Sequence, residues 1–314
     1  MTAADIVRNY VDVVWNQGDL SRVRELLADP SYRHDTDIGV TQSLSVFTLE
    51  DQFERLKHAQ QHAGRIHFEI IKLLEQGDYV TMIYDLTYQP KDSQEAQSMK
   101  DKGYYFNDAG KMQSKGIEVF RLKDNKIVET WITQGPWMPG HWGETKTDEL
   151  SSSEQHSNSP REVIREYVTR MWNKADASAI EDYLAPLCWR HDAGEPDRQF
   201  MQFDHAFQRQ RAHEGYENGK FNFQPILLLE SGEYVTFVWN LNFMLSKEEL
   251  IEGMRQRGAE LDEDGAVLMK GMEVFHVVDG KVVEVWVGQC WDFKGHWGAS
   301  QTVDDAPLPF EVKW

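Results

Sequence analysis

The sequence predicts two α+β domains in tandem, and three observations predict it. The chain has 314 residues, which at about 100–200 residues per domain leaves room for two. Its two halves repeat one another in order. Within each half, apolar stripes of helical period precede alternating strand patterns, as when helices lie on one face of a mostly antiparallel sheet.

The duplication shows in matched runs. Ile6, Val7, Tyr10, Val11, Trp15 and Asn16 line up with Val163, Ile164, Tyr167, Val168, Trp172 and Asn173. Arg33-His34-Asp35 recurs as Arg190-His191-Asp192. Gly116-Ile117-Glu118-Val119-Phe120 recurs as Gly271-Met272-Glu273-Val274-Phe275, and Gly140-His141-Trp142-Gly143 as Gly295-His296-Trp297-Gly298. A fixed period of this kind marks copies of one folding unit. The boundaries read from it are 1–143 for the first domain, 144–159 for a polar linker, 160–300 for the second domain and 301–314 for a C-terminal tail. Ser151-Ser152-Ser153 and the scarcity of apolar residues give the linker a flexible composition.

Each copy opens with a helix. Ser159 is placed to cap the second one, with Pro160 at its first position and Glu162 completing a capping box. A short second helix starts at Asp19 and at Asp176, and a third follows Thr48 and Asp204. Strands come next: Phe68 to Leu74 and Tyr79 to Tyr88 around a Gly77-Asp78 turn, then Ile117 to Leu122 and Ile127 to Thr133. Asp279-Gly280 gives the second copy the stronger hairpin signal. Between the middle strands, 89–115 and 244–270 are long and polar. Ser246 and Glu249 predict a capped helix running to Arg257 and stopped by Gly258. Such a helix is either a lid over a pocket or a solvated surface element.

Composition narrows the function classes. A formal net charge of −19 repels nucleic acid and anionic membrane surfaces, because phosphate binding needs clustered Lys and Arg. No run approaches the 18 apolar residues of a membrane span. The first fifteen residues read as an amphipathic helix without a secretory apolar core, so a cytoplasmic location is expected. Cys188 and Cys290 lack the spacing of a disulfide framework or a zinc knuckle. His58 and His62 have the i, i+4 spacing of helix metal ligands but no counterpart in the other copy, so no metal site is expected. No glycine-rich phosphate loop and no serine nucleophile elbow is visible, and no cofactor is expected.

The run from Tyr10 to Leu20, then Tyr32-Arg33-His34-Asp35, and the run from Gly116 to Trp131 resemble the SnoaL-like polyketide cyclases, within the nuclear-transport-factor-2-like superfamily. Tyr167 to Asn173, His191-Asp192 and Gly271 to Trp286 carry the same marks. The resemblance implies cone-shaped domains, each a curved sheet around about three helices with an apolar pocket inside. It implies a small-molecule ligand, and sheet-to-sheet pairing that a fused duplication would supply as an intramolecular pseudo-dimer, with further homo-oligomers open. It also implies an acid/base Asp shortly after the Trp of the last strand. The matching stretches read Trp131-Ile132-Thr133-Gln134 and Trp286-Val287-Gly288-Gln289; nearby Asp292 matches Trp137.

Candidate chemistry then centres on His34 and Asp35, repeated as His191 and Asp192. Histidine titrates near neutrality and suits proton transfer. Adjacent strand residues face opposite ways, so the expectation is His inward and Asp anchoring a backbone or Arg partner. The other reading is a structural hydrogen-bonded corner. Gln134 and Gln289 share a face with apolar strand residues, either as pocket hydrogen-bonders or as satisfied core amides. Trp15, Tyr84 and Trp131, with Trp172, Trp239 and Trp286, are expected to line the pocket or to pack the core. Glu118 and Glu273 share a face with Phe120 and Phe275; each is either a buried base with a raised pKa or half of a surface ion pair. Glu129 and Glu284 read likewise, and Gly-His-Trp-Gly reads as a turn with an anchoring Trp. Function follows as a cofactor-free acid/base enzyme on a small hydrophobic or aromatic molecule: a cyclase, isomerase, dehydratase or hydrolase. The alternatives are a binding protein without turnover and a protein-interaction scaffold.

Overall fold

The computed structural model describes residues 1–35, 44–60, 66–134, 138–152, 158–192, 201–289 and 295–302, the side chains of 59, 60 and 289 excepted. The chain divides into two units. The described residues up to Trp142, joined by Gly298–Thr302, form the first; those from Gly143 to Trp297 form the second. Each is the α+β cone-like unit expected.

In the first unit α1 (Ala3–Asn9) is closed by a capping box between Thr2 and Asp5 and runs on as a π-helical segment, Tyr10–Asn16. Ile6, Val7, Tyr10, Val11 and Val14 are buried on its apolar stripe. At its end Asn16 is locked to the sheet edge: its amide donates to the Phe68 carbonyl at 3.0 Å and its oxygen accepts from the Phe68 amide at 2.8 Å. That double bond explains the repeated Trp-Asn pair. Asp19 then caps a short 3₁₀ turn, Leu20–Arg22, leading into α2 (Val23–Leu26). The strands β1 (Leu27–Asp35) and β2 (Leu44–Phe47) precede α3 (Leu49–Gln60), whose first turn carries the Thr48–Asp51 capping box.

β3 (Ile66–Gln76), β4 (Tyr79–Tyr88), α4 (Ser93–Asp101), β5 (Met112–Lys123) and β6 (Lys126–Thr133) complete the unit. The sheet order is β2-β1-β6-β5-β4-β3. Only β1 and β6 run parallel among these strands, with His34 opposite Trp131. Register sets the faces. Glu118 pairs with Ile132 and with Met82, so these three point to the helix side, with Arg33 two strands away.

The second unit repeats the plan: α5 (Pro160–Tyr167) with its π segment Val168–Asn173, α6 (Ala179–Tyr183), β7 (Leu184–Asp192), β8 (Met201–Asp204), α7 (His205–Asn218), β9 (Gly219–Ser231), β10 (Tyr234–Leu245), α8 (Glu248–Gln256), β11 (Val267–Val278) and β12 (Lys281–Gln289). The sheet order β8-β7-β12-β11-β10-β9 is the same. Ser159 caps α5 and Asp204 caps α7. One cap differs from expectation: the residue before α8 is Lys247, and Ser246 donates its hydroxyl to the Glu217 carbonyl instead. Helix α4, capped by Asp92, stands where the long polar segment of the first copy was read.

The Gly-His-Trp-Gly turns are anchors. Trp142 is fully buried, takes the Asp85 carboxylate at its backbone amide (2.9 Å) and donates its indole to the Gly116 carbonyl (3.2 Å). Trp297 does the same with Asn240 and Gly271. Of the stretch read as a linker, Thr147 bonds Glu284 and His276, Asp148 bonds Tyr234, and Ser152 bonds Glu233 and Asp279, all within the second unit. Residues 153–157 and 303–314 lie outside the described residues.

Candidate functional site

Each unit holds a cavity between its helices and the inner face of its sheet, of about 530 Å³ in the first and about 420 Å³ in the second. Both fall in the range of small-molecule sites, roughly 300–1,000 Å³. Tyr10, Val11 and Trp15 from the first helix, Phe68 from β3, Met82 from β4 and Phe120 from β5 give the first cavity an apolar wall. Into that wall reach Arg33 from β1, Arg55 from α3, Glu118 from β5 and Gln134 after β6. The second cavity repeats the charged set as Arg190, Arg211 and Glu273, with Asp192, and its wall is richer in rings: Trp172, Phe221, Phe223, Trp239 and Phe243.

The charges are arranged in the same way twice. Arg33 holds Asp35 through Nε at 2.7 Å and through its terminal nitrogen at 2.5 Å. Arg190 holds Asp192 at 2.8 Å. Arg55 donates to the Gln52 side-chain oxygen at 2.8 Å and to the Tyr10 hydroxyl at 3.4 Å, with its guanidinium stacked over Trp15. Arg211 donates to Gln208 at 3.1 Å, and Gln208 in turn reaches the Tyr167 hydroxyl. Burial drives the Glu118 carboxyl up to about 8 and the nearby Asp35 adds to it, against the pull of Arg33 and Arg55. Glu273 rises to about 7 for the same reasons, with Arg190 and Arg211 opposing. Arg211 is pushed down to about 10, first by Arg190 and then by burial. A carboxyl that titrates near neutrality inside an apolar cavity is equipped to give and take protons.

Residues 7–130 match the family model of the SnoaL-like domain. The first unit is a SnoaL-like domain. The second repeats it strand for strand, so the chain is a tandem duplication. Solved structures that resemble the chain include a candidate polyketide cyclase from Acidithiobacillus ferrooxidans (19% identical, covering 42% of this chain and 88% of that one, TM-score 0.34). IdmH, a candidate polyketide cyclase from Streptomyces antibioticus, is 15% identical over 43% of this chain and 92% of its own, with a TM-score of 0.32. AclR, a candidate hydroxylase from Streptomyces galilaeus, is 15% identical over 42% and 78%, with a TM-score of 0.31. No curated protein matches the chain. Activity must come from the site itself, since one fold hosts many chemistries.

The SnoaL-like domain places the sequence candidates on both faces of its sheet. His34 is fully buried and lies away from the cavity, its Nε2 2.7 Å from Glu129 and its ring stacked on Trp131 at 5.1 Å. His191 repeats this with Glu284 at 2.6 Å and Trp286 at 5.0 Å. The expectation of an inward His is therefore corrected. Strand parity sends Arg33 and Asp35 one way and His34 the other, and it is Arg33 that faces the cavity. Asp35 does anchor an Arg partner. Trp15, Gln134, Trp172 and Trp239 line the cavities; Trp131 and Trp286 are on the other face. Tyr84 stands over Gly116, where an added Cβ would sit 2.4 Å from its ring, and donates its hydroxyl to Gln134 at 2.8 Å. The side chain of Gln289, and Cys290, Asp292, Trp137 and His62, lie outside the described residues.

Glu129 and Glu284 are corrected too. Neither is half of a surface pair with Lys or Arg: both are fully buried on the face opposite the cavity. Glu129 accepts from Ser300, Thr302 and the Gln301 amide as well as bonding His34. Glu284 accepts from Thr147 and the amides of Lys146 and Thr147. Burial raises the Glu129 pKa, but these hydrogen bonds outweigh it and hold the group below the usual carboxylate range. Each His–Glu pair thus ties a post-Trp segment to the sheet, which is structural work. Among the described residues no group of three or more His, Cys, Asp or Glu is disposed to hold a metal ion, and no helix is long and apolar enough to cross a membrane.

Arg55 and Arg211 were missed at the sequence level. Their signal was Gln52-x-x-Arg55 recurring as Gln208-x-x-Arg211. Arg33 was available as well, since the whole Arg-His-Asp triplet is repeated.

Proposed function

We propose that each unit is a cofactor-free acid/base catalyst for a small hydrophobic or aromatic molecule, with Glu118 and Glu273 as the proton-transfer groups. The observation that carries this reading is the carboxyl of Glu118, set in an apolar cavity and raised to about 8, with the same arrangement at Glu273. The protonated acid delivers a proton to a substrate oxygen or leaving group; the carboxylate removes one from an activated carbon. Arg33, fixed by Asp35, sits beside the carboxyl and stabilises negative charge that develops on the substrate. Gln134, held by the Tyr84 hydroxyl, presents its amide to the cavity and orients a carbonyl or a water. His34 and His191 are not given a catalytic role, because each is committed to a buried glutamate on the other face.

The rival reading is a binding protein that uses the same cavities without turnover. The two separate in deuterium exchange. With 2-tetralone in D₂O as a carbon-acid probe, the wild-type chain speeds exchange of the α-protons over buffer. Glu118→Gln/Glu273→Gln loses about 10²-fold or more of that rate, the usual worth of a placed general base. Equal rates for wild type and variant would refute the roles given to the two glutamates.

A further inference from the structure

The charge balance of the cavities points to the chemistry of their ligand. In the first unit the guanidinium of Arg33 is neutralised by Asp35 at 2.5 Å. Arg55 has no such partner: among the described residues it bonds only the neutral Gln52 and Tyr10 and lies over the rings of Trp15 and Phe47. Arg211 is in the same position in the second unit, bonded to Gln208, while Asp192 serves Arg190. A half-buried cation facing an apolar cavity without an ion-pair partner is costly unless an anion arrives. Burial and the neighbouring Arg33 already push Arg55 below its ordinary value. The arrangement is built twice from different helix sequences, since α3 and α7 share little beyond Gln-x-x-Arg.

We propose that each cavity takes a flat apolar molecule bearing one carboxylate, seated on Arg55 in the first unit and on Arg211 in the second, with its rings against Trp15 and Trp172. The single charge follows from the one guanidinium per cavity that, among the described residues, makes hydrogen bonds to neutral side chains and no direct ion pair, Glu118 or Glu273 lying near it without bonding it. The flat body follows from the walls: Trp15, Phe68 and Phe120 in one, Trp172, Phe223 and Phe275 in the other. The proposal rests on reading the cavities as small-molecule sites, and on no step of the acid/base chemistry. It carries a proton linkage. A bound carboxylate raises Glu118 further, so the anion enters beside a protonated acid. Arg33 and Asp35 on β1, Arg55 on α3, Tyr10 on the first helix and Tyr84 on β4 are the charged and titratable groups that face Glu118. Arg190, Asp192, Arg211 and Tyr167 face Glu273.

The test is a pair of isosteric probes, 2-naphthoate and 2-naphthamide, titrated calorimetrically into the full chain at pH 7. The charged probe should bind about tenfold tighter or better, the worth of one hydrogen bond to a charged group. Arg55→Gln/Arg211→Gln should abolish that preference and leave naphthamide unchanged. Equal affinities for the two probes in the wild type would overturn the proposal, and this comparison needs no variant to fold. Equal loss of both probes in a folded Arg variant would overturn it as well. Raising the pH from 7 to 9 should weaken naphthoate in the wild type but not in Glu118→Gln/Glu273→Gln. A pH-independent naphthoate affinity in the wild type would count against the seat beside the glutamate. Naphthoate binding with no tetralone exchange would sink the acid/base step alone, so the two readings fail separately.

Discussion

Replacing the two cavity glutamates should make the protein more stable at neutral pH, and the size of the effect follows from their environment. Glu118 has an ordinary value of 4.5 and a folded value of about 8; Glu273 rises from 4.5 to about 7. Between those limits the folded chain keeps a proton that the unfolded chain releases, so stability falls as pH rises. It is fully present below the unfolded value and is lost up to the folded one. At about 1.36 kcal/mol per pH unit, each unit loses roughly 3 kcal/mol between pH 5 and 8. Glutamine has the shape of the protonated acid and no proton to lose. Urea denaturation of wild type and of Glu118→Gln/Glu273→Gln at pH 5, 6.5 and 8 reads the effect. His141 and His296 are held below their usual value chiefly by burial and act in the opposite sense up to about pH 6.5. The quantity to follow is therefore the difference between variant and wild type at each pH. A gain that grows by roughly 3 kcal/mol for each domain between pH 5 and 8 is expected. A difference that stays flat from pH 5 to 8 would show that neither carboxyl is raised, and the electrostatic reasoning would fail.

Other substitutions probe the scaffold. Glu129→Ala strands His34 in a fully buried position and removes the anchor of Ser300 to Thr302, which should cost about 3–5 kcal/mol in urea titrations. Because Glu129 is held below its ordinary value, its contribution is present at neutral pH and lost as pH falls below about 4.5; a variant as stable as wild type at pH 7 would contradict the buried-pair account. Gly116→Ala places a Cβ 2.4 Å from the Tyr84 ring and 2.8 Å from the Thr133 carbonyl, so a loss of about 1–3 kcal/mol is expected by thermal melt. In a Tyr84→Ala background, itself destabilised by loss of a buried ring, the added cost of Gly116→Ala should shrink but not vanish, because the clash with the Thr133 carbonyl remains. Asn16→Ala removes both bonds to Phe68 and should destabilise the chain by about 1–3 kcal/mol; faster amide exchange confined to β3 would locate the effect.

Much of the fold was legible because duplication reads every signal twice. Ser159, Thr48 and Asp204 cap the helices they were expected to cap, and the Gly77-Asp78 and Asp279-Gly280 turns join the strands they were expected to join. The Ser246 cap failed because its hydroxyl donates to the Glu217 carbonyl instead, a tertiary contact that local sequence does not reveal. The site was legible in kind and not in parity. His34 and Asp35 were singled out from the repeated Arg-His-Asp triplet and Arg33 was not; period two allows either face inward, and histidine chemistry argued for the face that the structure turns away from the cavity. The deciding fact is the parallel pairing of β1 with β6, which sets His34 beside Trp131 and Glu129. Glu118 was identifiable from its place next to Phe120, yet only the assembled cavity distinguishes a buried acid from a surface ion pair. Arg55 was unreadable because its partners, Gln52, Tyr10 and Trp15, come together only when α3 packs on the first helix.

A carboxyl NMR titration of the full chain labelled with ¹³C at the glutamate side chain decides the matter most directly, with Glu118→Gln and Glu273→Gln used to assign the two signals. The expected result is one resonance titrating near 8 and another near 7, each vanishing with its own substitution. If both glutamates instead titrate near the ordinary 4.5, the cavities hold plain carboxylates, and the acid/base function proposed for them is wrong.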